Sequence, residues 1–233
     1  MKLRRIPEID LARFATKGEK EQKSALRSYD AGGGGWSYDP ARSQCFNIFN
    51  PTTRLGLEVA RPSIEKILQE VTKACRDEAQ KQSCVEVTRL LWEWVQSEAG
   101  KAIERPIPSM ALGSIGAVRY WGNFAVQYNG RPHFVFFDHR RSNGLTGTAR
   151  RFAFSMMREQ LIATDIEFAD AGLLILQFPQ PKKSDRIIRA YTDEGMELFD
   201  LYTLQDMVAN TYRIWAEVLE EKRRTDTRRA AGE

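Results

Sequence analysis

The spacing of apolar residues from position 61 onward predicts a folded body that contains both helices and strands. Apolar side chains that recur every three or four positions indicate helices. The predicted helices cover residues 61–80, 83–100, 148–164 and 203 onward. The second opens on Ser83 with Glu86 three residues later, and the last opens on Thr203 with Asp206, both in the pattern of a capping box.

Short runs rich in β-forming residues predict strands among these helices. They cover residues 115–121, 124–128, 133–137, 173–178, 186–191 and 198–201. Asn129-Gly130 predicts a tight hairpin turn, because both residues accept a positive φ. The run at 134–137 is apolar at every position, so we expect a covered central strand that ends at Asp138. The order of elements predicts a mixed α/β fold, with a mixed central sheet flanked by helices.

Residues 1–60 have a different character from the rest of the chain. Four consecutive glycines, at 32–35, favour a flexible joint, and the aromatic Trp36 follows them. The sequence therefore predicts an irregular N-terminal arm at 1–60, an α/β domain at 61–222 and a basic C-terminal tail at 223–233. Limited proteolysis is expected to cut near 32–36.

Composition excludes several classes of protein. With 42% hydrophobic and 28% charged residues, global disorder is excluded. No apolar run approaches the roughly 20 residues that cross a bilayer, and the first residues lack the apolar stretch of a signal peptide, so we expect a cytoplasmic protein without a membrane partner. The three cysteines, Cys45, Cys75 and Cys84, contain no CxxC pair and favour neither a disulfide framework nor a zinc site.

Positive charge is concentrated rather than strong, because the net charge is only +4. Residues 131–158 contain six arginines but only one acidic residue, Asp138. The arginines are Arg131, Arg140, Arg141, Arg150, Arg151 and Arg158. Such clustering suits phosphate groups, so Arg131, Arg141, Arg150, Arg151 and Arg158 are candidate contacts to DNA or RNA. A solvated face or a protein contact is the alternative.

Common catalytic motifs are missing from the sequence. It contains no P-loop, no dinucleotide-binding glycine motif and no G-x-S-x-G nucleophile motif. The two histidines, His133 and His139, are too few for a multi-histidine metal site and make a catalytic triad difficult to assemble.

An acid that leaves a buried strand, followed by a cation two residues later and then by a helix, resembles the PD-(D/E)XK restriction-endonuclease-like superfamily. The resemblance covers about residues 83–218 and implies that fold. In that family, acids hold a divalent metal and a lysine helps to orient water. Carried over residue by residue, Asp138 would be the catalytic acid and metal ligand, and Arg140 would replace the lysine. Asn123 would stand where the first acid is expected, and Gln160 would match a polar position on the following helix.

This resemblance implies a nucleic-acid-associated protein, either a nuclease that uses Mg²⁺ or a degenerate relative that binds without cutting. Two departures weaken catalysis: Asn123 carries no charge, and an arginine such as Arg140 is too basic to act as a base. Glu86 or Glu93 could supply a second carboxylate. The alternative is a non-catalytic assembly subunit that binds a protein partner or a second copy of the chain.

Overall fold

A five-stranded mixed sheet forms the centre of the computed structural model, which describes residues 5–29, 37–53, 56, 60–112, 116–182 and 184–231. The strands are β1 (Ala102–Glu104), β2 (Met110–Ala111), β3 (Ala117–Val118), β4 (Phe124–Tyr128), β5 (Arg131–Asp138), β6 (Gly172–Gln177) and β7 (Arg189–Thr192). The main sheet has the order β1-β4-β5-β6-β7, while β2 and β3 pair separately. Only β5 and β6 are parallel within the main sheet; its other pairs are antiparallel. The predicted mixed sheet is confirmed.

Helices flank the sheet on both faces. They are α1 (Glu8–Ala15), α2 (Glu19–Ser28), α3 (Asp39–Arg42), α4 (Cys45–Phe49), α5 (Ile64–Ala74), α6 (Glu78–Ser97), α7 (Gly147–Thr164) and α8 (Leu201–Ala231), with a short 3₁₀ turn at Ile166–Phe168. Helix α7 makes the crossover between β5 and β6, as a parallel pair requires. Within the described ranges, no helix has the length and apolarity needed to span a membrane.

Alternation along β5 and β6 divides the interior into two cores. Phe134 and Leu173 point into a core shared with α1, α2, α7 and α8. Val135 and Leu174, one position further along each strand, point into the opposite core with α3, α4, α5 and α6. Residues 134–137 of β5 and 173–176 of β6 are covered on both faces, which explains why these runs are apolar at every position.

The N-terminal helices belong to the first core. Leu11 of α1 and Leu26 of α2 are fully buried, and the Gln22 side chain donates to Thr211 Oγ1 on α8 at 2.7 Å. The expectation of an irregular, loosely attached arm is therefore wrong for residues 5–29. Apolar residues that are interspersed among charged ones in this segment form the buried sides of two packed helices. The glycine run at 32–35, Trp36 and the expected cleavage site lie outside the described residues. The boundaries at 60 and 222 stay a prediction, and α8 continues past 222.

The observed helices differ from the predicted ones at two places. The first predicted helix is interrupted after Ala74, where Asp77 caps α6 by accepting from the Gln80 backbone N–H at 2.8 Å. Helix α8 begins at Leu201, where the Asp200 carboxylate accepts from the Thr203 backbone N–H at 2.8 Å. The strand predicted at 198–201 is therefore wrong, since these residues lead into a capped helix.

The hairpin turn between β4 and β5 is confirmed. Asn129 has φ 50° and Gly130 has φ 78°, the left-handed values that a two-residue turn of this kind requires. The turn aligns β4 against β5, so that the loop before β4 lies beside the end of β5.

Candidate functional site

The carboxylate of Asp138 ends β5 inside the protein and is fully buried. It accepts hydrogen bonds from the Leu145 backbone N–H and from Gln177 Nε2, each at 2.7 Å. These bonds tie the loop after β5 to β6. Its expected position at the end of a central strand is confirmed, and the two donors enclose its carboxylate inside the protein.

The metal role of Asp138 and the expected Mg²⁺ stay predictions. In the part of the chain that the structure describes, no group of three or more His, Cys, Asp or Glu side chains is placed to hold a metal ion. Glu86, one proposed second carboxylate, instead pairs with Arg141 at 3.1 Å and lies 3.6 Å from Arg186. Glu93 is exposed on α6.

Arg140, the proposed replacement for the catalytic lysine, forms a two-pronged ion pair with Asp10 of α1. Nη1 donates to Oδ1 at 2.6 Å, and Nη2 donates to Oδ2 at 2.8 Å. Burial by itself would lower the pKa of Arg140, but the hydrogen bonds and charge of Asp10 outweigh it and raise that pKa. Arg140 therefore holds α1 against the end of β5 as a permanent cation.

The remaining proposed catalytic positions are not brought together. Asn123 is exposed before β4, where its Oδ1 accepts from Arg119. Gln160 lies on α7 and bonds to Thr164 of the same helix. Neither side chain contacts Asp138 through a hydrogen bond in the described structure.

Four of the five candidate phosphate-binding arginines are held by groups of this chain. Their partners are Glu86 for Arg141 (3.1 Å), Gln177 for Arg150 (2.9 Å), the Phe199 ring for Arg151 (3.9 Å) and Asp193 for Arg158 (2.7 Å). Arg131 is exposed at the start of β5. Because most of these guanidinium groups are engaged, they do not form the free cationic face expected from the sequence.

An open cleft of about 620 Å³ lies between α1, α3, α4, the loop before β4 and the end of β5. Aromatic rings form much of its wall: Tyr38, Phe46, Trp121, Phe124, Phe136 and Phe137. The charged lining residues are Glu8, Arg42, Arg119 and Arg140. An apolar wall with a few charged groups is typical of a binding site.

His139 lines the cleft but is only 1% exposed. Its ring stacks on Phe178, with centroids 5.2 Å apart and planes at 8°, and on Phe137 and Tyr38. Neither ring nitrogen has a hydrogen-bond partner in the described structure. Burial lowers the pKa of His139 to about 3, with further lowering by the charges of Arg42 and Arg186, so the imidazole is neutral near pH 7.

Phe46 is an aromatic residue of the cleft wall that is partly exposed at the protein surface. It lies on α4, is 40% exposed and contacts Phe124 edge-on with centroids 6.3 Å apart. Large apolar side chains with this exposure are uncommon in the described chain, which has six. An exposed ring beside an apolar cleft is a natural anchor for a protein partner.

Sequence reasoning missed this cleft. Phe46 was visible as an aromatic residue among turn formers, and Arg119 as one cation inside an apolar run. What no local pattern could show is that α1, α4 and β5 meet at one place.

Comparison with known proteins gives two matches. A family described as "Sliding clamp-binding bacterial toxin SocB" matches residues 9–225. The "DNA replication inhibitor toxin SocB" of Caulobacter vibrioides (strain NA1000 / CB15N) is 31% identical over 222 residues, which are 95% of this chain and 93% of that protein. No solved structure matches the chain.

These matches overturn the resemblance to the PD-(D/E)XK superfamily. They cover nearly the whole chain and name a protein-binding toxin, so the nuclease interpretation and the nucleic-acid-binding interpretation are wrong. The motif at Asp138 and Arg140 misled because a strand that ends in an acid also arises where a carboxylate caps a turn. The matches favour the alternative of a protein–protein role.

Proposed function

Because the chain belongs to the family of sliding clamp-binding bacterial toxins SocB, we propose that it binds a bacterial sliding clamp and thereby inhibits DNA replication. We place the contact surface at the cleft and the exposed Phe46. A toxin with this target would act in the cytoplasm, as the sequence predicts.

The observation that supports this surface is the exposure of Phe46 beside the aromatic wall of the cleft. A partly exposed ring on a short helix can be covered by a partner without any unfolding of this chain. Burying such a ring at the centre of an interface contributes about 2 kcal/mol or more when it acts as a hot spot. The packing of Phe46 against Phe124 holds it in place before binding, which lowers the entropy cost of association.

The test is binding of the full chain to the purified sliding clamp of the bacterium that encodes it. We expect Phe46→Ala to weaken binding by about 30-fold, the equivalent of 2 kcal/mol. Tyr202→Ala is the matched control, since Tyr202 is 80% exposed on α8. Helix α8 packs in the first core, whereas α4, which carries Phe46, packs in the core on the other face of the sheet. Thermal unfolding of both variants checks that the fold is kept.

Two outcomes separate the parts of the proposal. Failure of the natural chain to bind the clamp would refute clamp binding itself. Equal binding by Phe46→Ala and Tyr202→Ala would refute the cleft surface alone. Growth and DNA synthesis after induced expression give a second readout, in which Phe46→Ala should relieve inhibition.

A further inference from the structure

The charge balance of the cleft indicates what kind of segment it accepts. Of its three arginines, Arg140 is neutralised by Asp10 at 2.6 and 2.8 Å. Arg42 pairs with Asp39 at 3.1 Å on the exposed rim. The third arginine, Arg119, differs from these two in the partners of its guanidinium group.

Arg119 has no carboxylate partner for its guanidinium group among the described residues. Nη2 donates to the Ile107 carbonyl oxygen at 3.0 Å and to the side-chain oxygen of Asn123, both of which are neutral. Its Nε atom is buried and without a hydrogen-bond partner in the described structure. Glu8, the acid among the described residues that line the cleft, instead pairs with Arg5 and accepts from the backbone N–H of Arg119.

An unpaired charge that is partly removed from water carries a free-energy cost, and an incoming anion can recover it. Burial accordingly lowers the pKa of Arg119. The fixed bonds to Ile107 and Asn123 also hold the guanidinium in one orientation, so little rotamer entropy is lost when it binds.

The inner end of the cleft adds a second unfilled polar group. His139 is buried, stacked on aromatic rings and unpaired at both ring nitrogens. Because it is neutral, it adds no positive charge, but it offers one N–H donor and one acceptor. The cleft thus combines a cation, a neutral polar group and an apolar wall.

We infer that the cleft binds an acidic and apolar segment of the protein partner, with Arg119 receiving an Asp or Glu carboxylate and the aromatic wall covering the neighbouring apolar side chains. This inference rests on the proposed function, which supplies the clamp as the partner. Bonds between a guanidinium and a carboxylate are among the stronger hydrogen bonds in proteins. Arg119 is the specificity-determining residue of this surface.

The experiment measures the affinity of the full chain for the purified sliding clamp at several salt concentrations. Arg119→Gln should weaken binding by about 10-fold to 100-fold, as expected for loss of a hydrogen bond between charged groups. It should also reduce the dependence of affinity on salt. Arg119→Lys, which keeps the charge but loses the planar fork, should bind more weakly than the natural chain while it keeps the salt dependence.

Arg131→Gln is the matched control, because Arg131 is an exposed arginine at the opposite end of β5. If Arg119→Gln matches Arg131→Gln in affinity and salt dependence, the inference is overturned, while clamp binding by the natural chain keeps the proposed function. If Arg119→Gln does not fold, Arg119→Lys decides: natural affinity in that variant overturns the role of the guanidinium. Absence of clamp binding by the natural chain overturns both proposals.

Discussion

Replacing Asp138 by Asn should destabilise the fold rather than remove an activity. Asp138 Oδ2 accepts from both the Leu145 backbone N–H and the Gln177 side-chain N–H at 2.7 Å, and Oδ1 accepts from the Arg140 backbone N–H at 3.3 Å, inside the protein. An asparagine keeps one acceptor oxygen and replaces the other with an NH₂ group, which would face N–H donors at either of these two positions. The substitution therefore leaves at least one donor unpaired and removes the negative charge from the remaining bonds.

The size of the effect follows from the two 2.7 Å bonds to Oδ2, which lose their charged acceptor. Hydrogen bonds to charged groups are each worth about 1.5–3 kcal/mol, and an unpaired buried group adds a desolvation cost. We expect Asp138→Asn to lower the free energy of unfolding by about 3 kcal/mol. For a chain of this size, that corresponds to a Tm roughly 6–12 °C lower.

Thermal and urea unfolding monitored by circular dichroism would measure this change, with Glu194→Gln as an exposed acidic control. Gly144→Ala should act in the same direction, since an added Cβ would lie 2.6 Å from Asp138 Oδ2. Clamp binding per folded molecule should be unchanged in Asp138→Asn. A variant with natural stability and lost function would show that Asp138 acts in a site, and the structural reasoning would be wrong.

Three further predictions concern the core. Since the pKa of His139 is lowered to about 3 from 6.5, the unfolded state binds its proton first, and stability is lost as pH falls below 6.5 by about 1.4 kcal/mol per unit. His139→Phe should reduce the loss of unfolding free energy between about pH 7 and pH 5 by roughly 2 kcal/mol. If the variant loses as much unfolding free energy over this pH range as the natural chain, the imidazole of His139 is not buried in its neutral form. Gly172→Ala should cost about 2 kcal/mol in urea unfolding, because its Cβ would overlap the buried His133 ring; a neutral result would mean that the ring moves freely. Deletion of residues 1–28 should yield insoluble protein in expression trials, whereas a soluble folded fragment would restore the idea of a separable arm.

The elements with strong local patterns could be predicted from the sequence. The β4–β5 turn, the apolar β5 and β6, and α7 all follow from residues close to one another in the chain. Their pattern needs no long-range information, because burial on both faces or on one helical stripe is visible in the order of residues.

The site could not be predicted, because it depends on contacts between distant parts of the chain. Arg140 looked like a catalytic cation until its partner Asp10, 130 positions away, was located. Asp138 matched a catalytic acid in its local sequence, which does not show its donor Gln177 on another strand. Sequence distance hides such pairs, and a buried structural carboxylate and a catalytic one have the same local sequence.

The packing of α1 and α2 against α8 in one core has a consequence for synthesis of the protein. The Ile6 backbone N–H donates to Tyr212 Oη, and Lys23 pairs with Glu221. The packing of α1 and α2 is therefore complete only when α8 is in place. Because α8 follows the other helices of this core along the chain, the first core closes only after α8 has been synthesised. A product truncated before α8 would expose the apolar faces of α1 and α2.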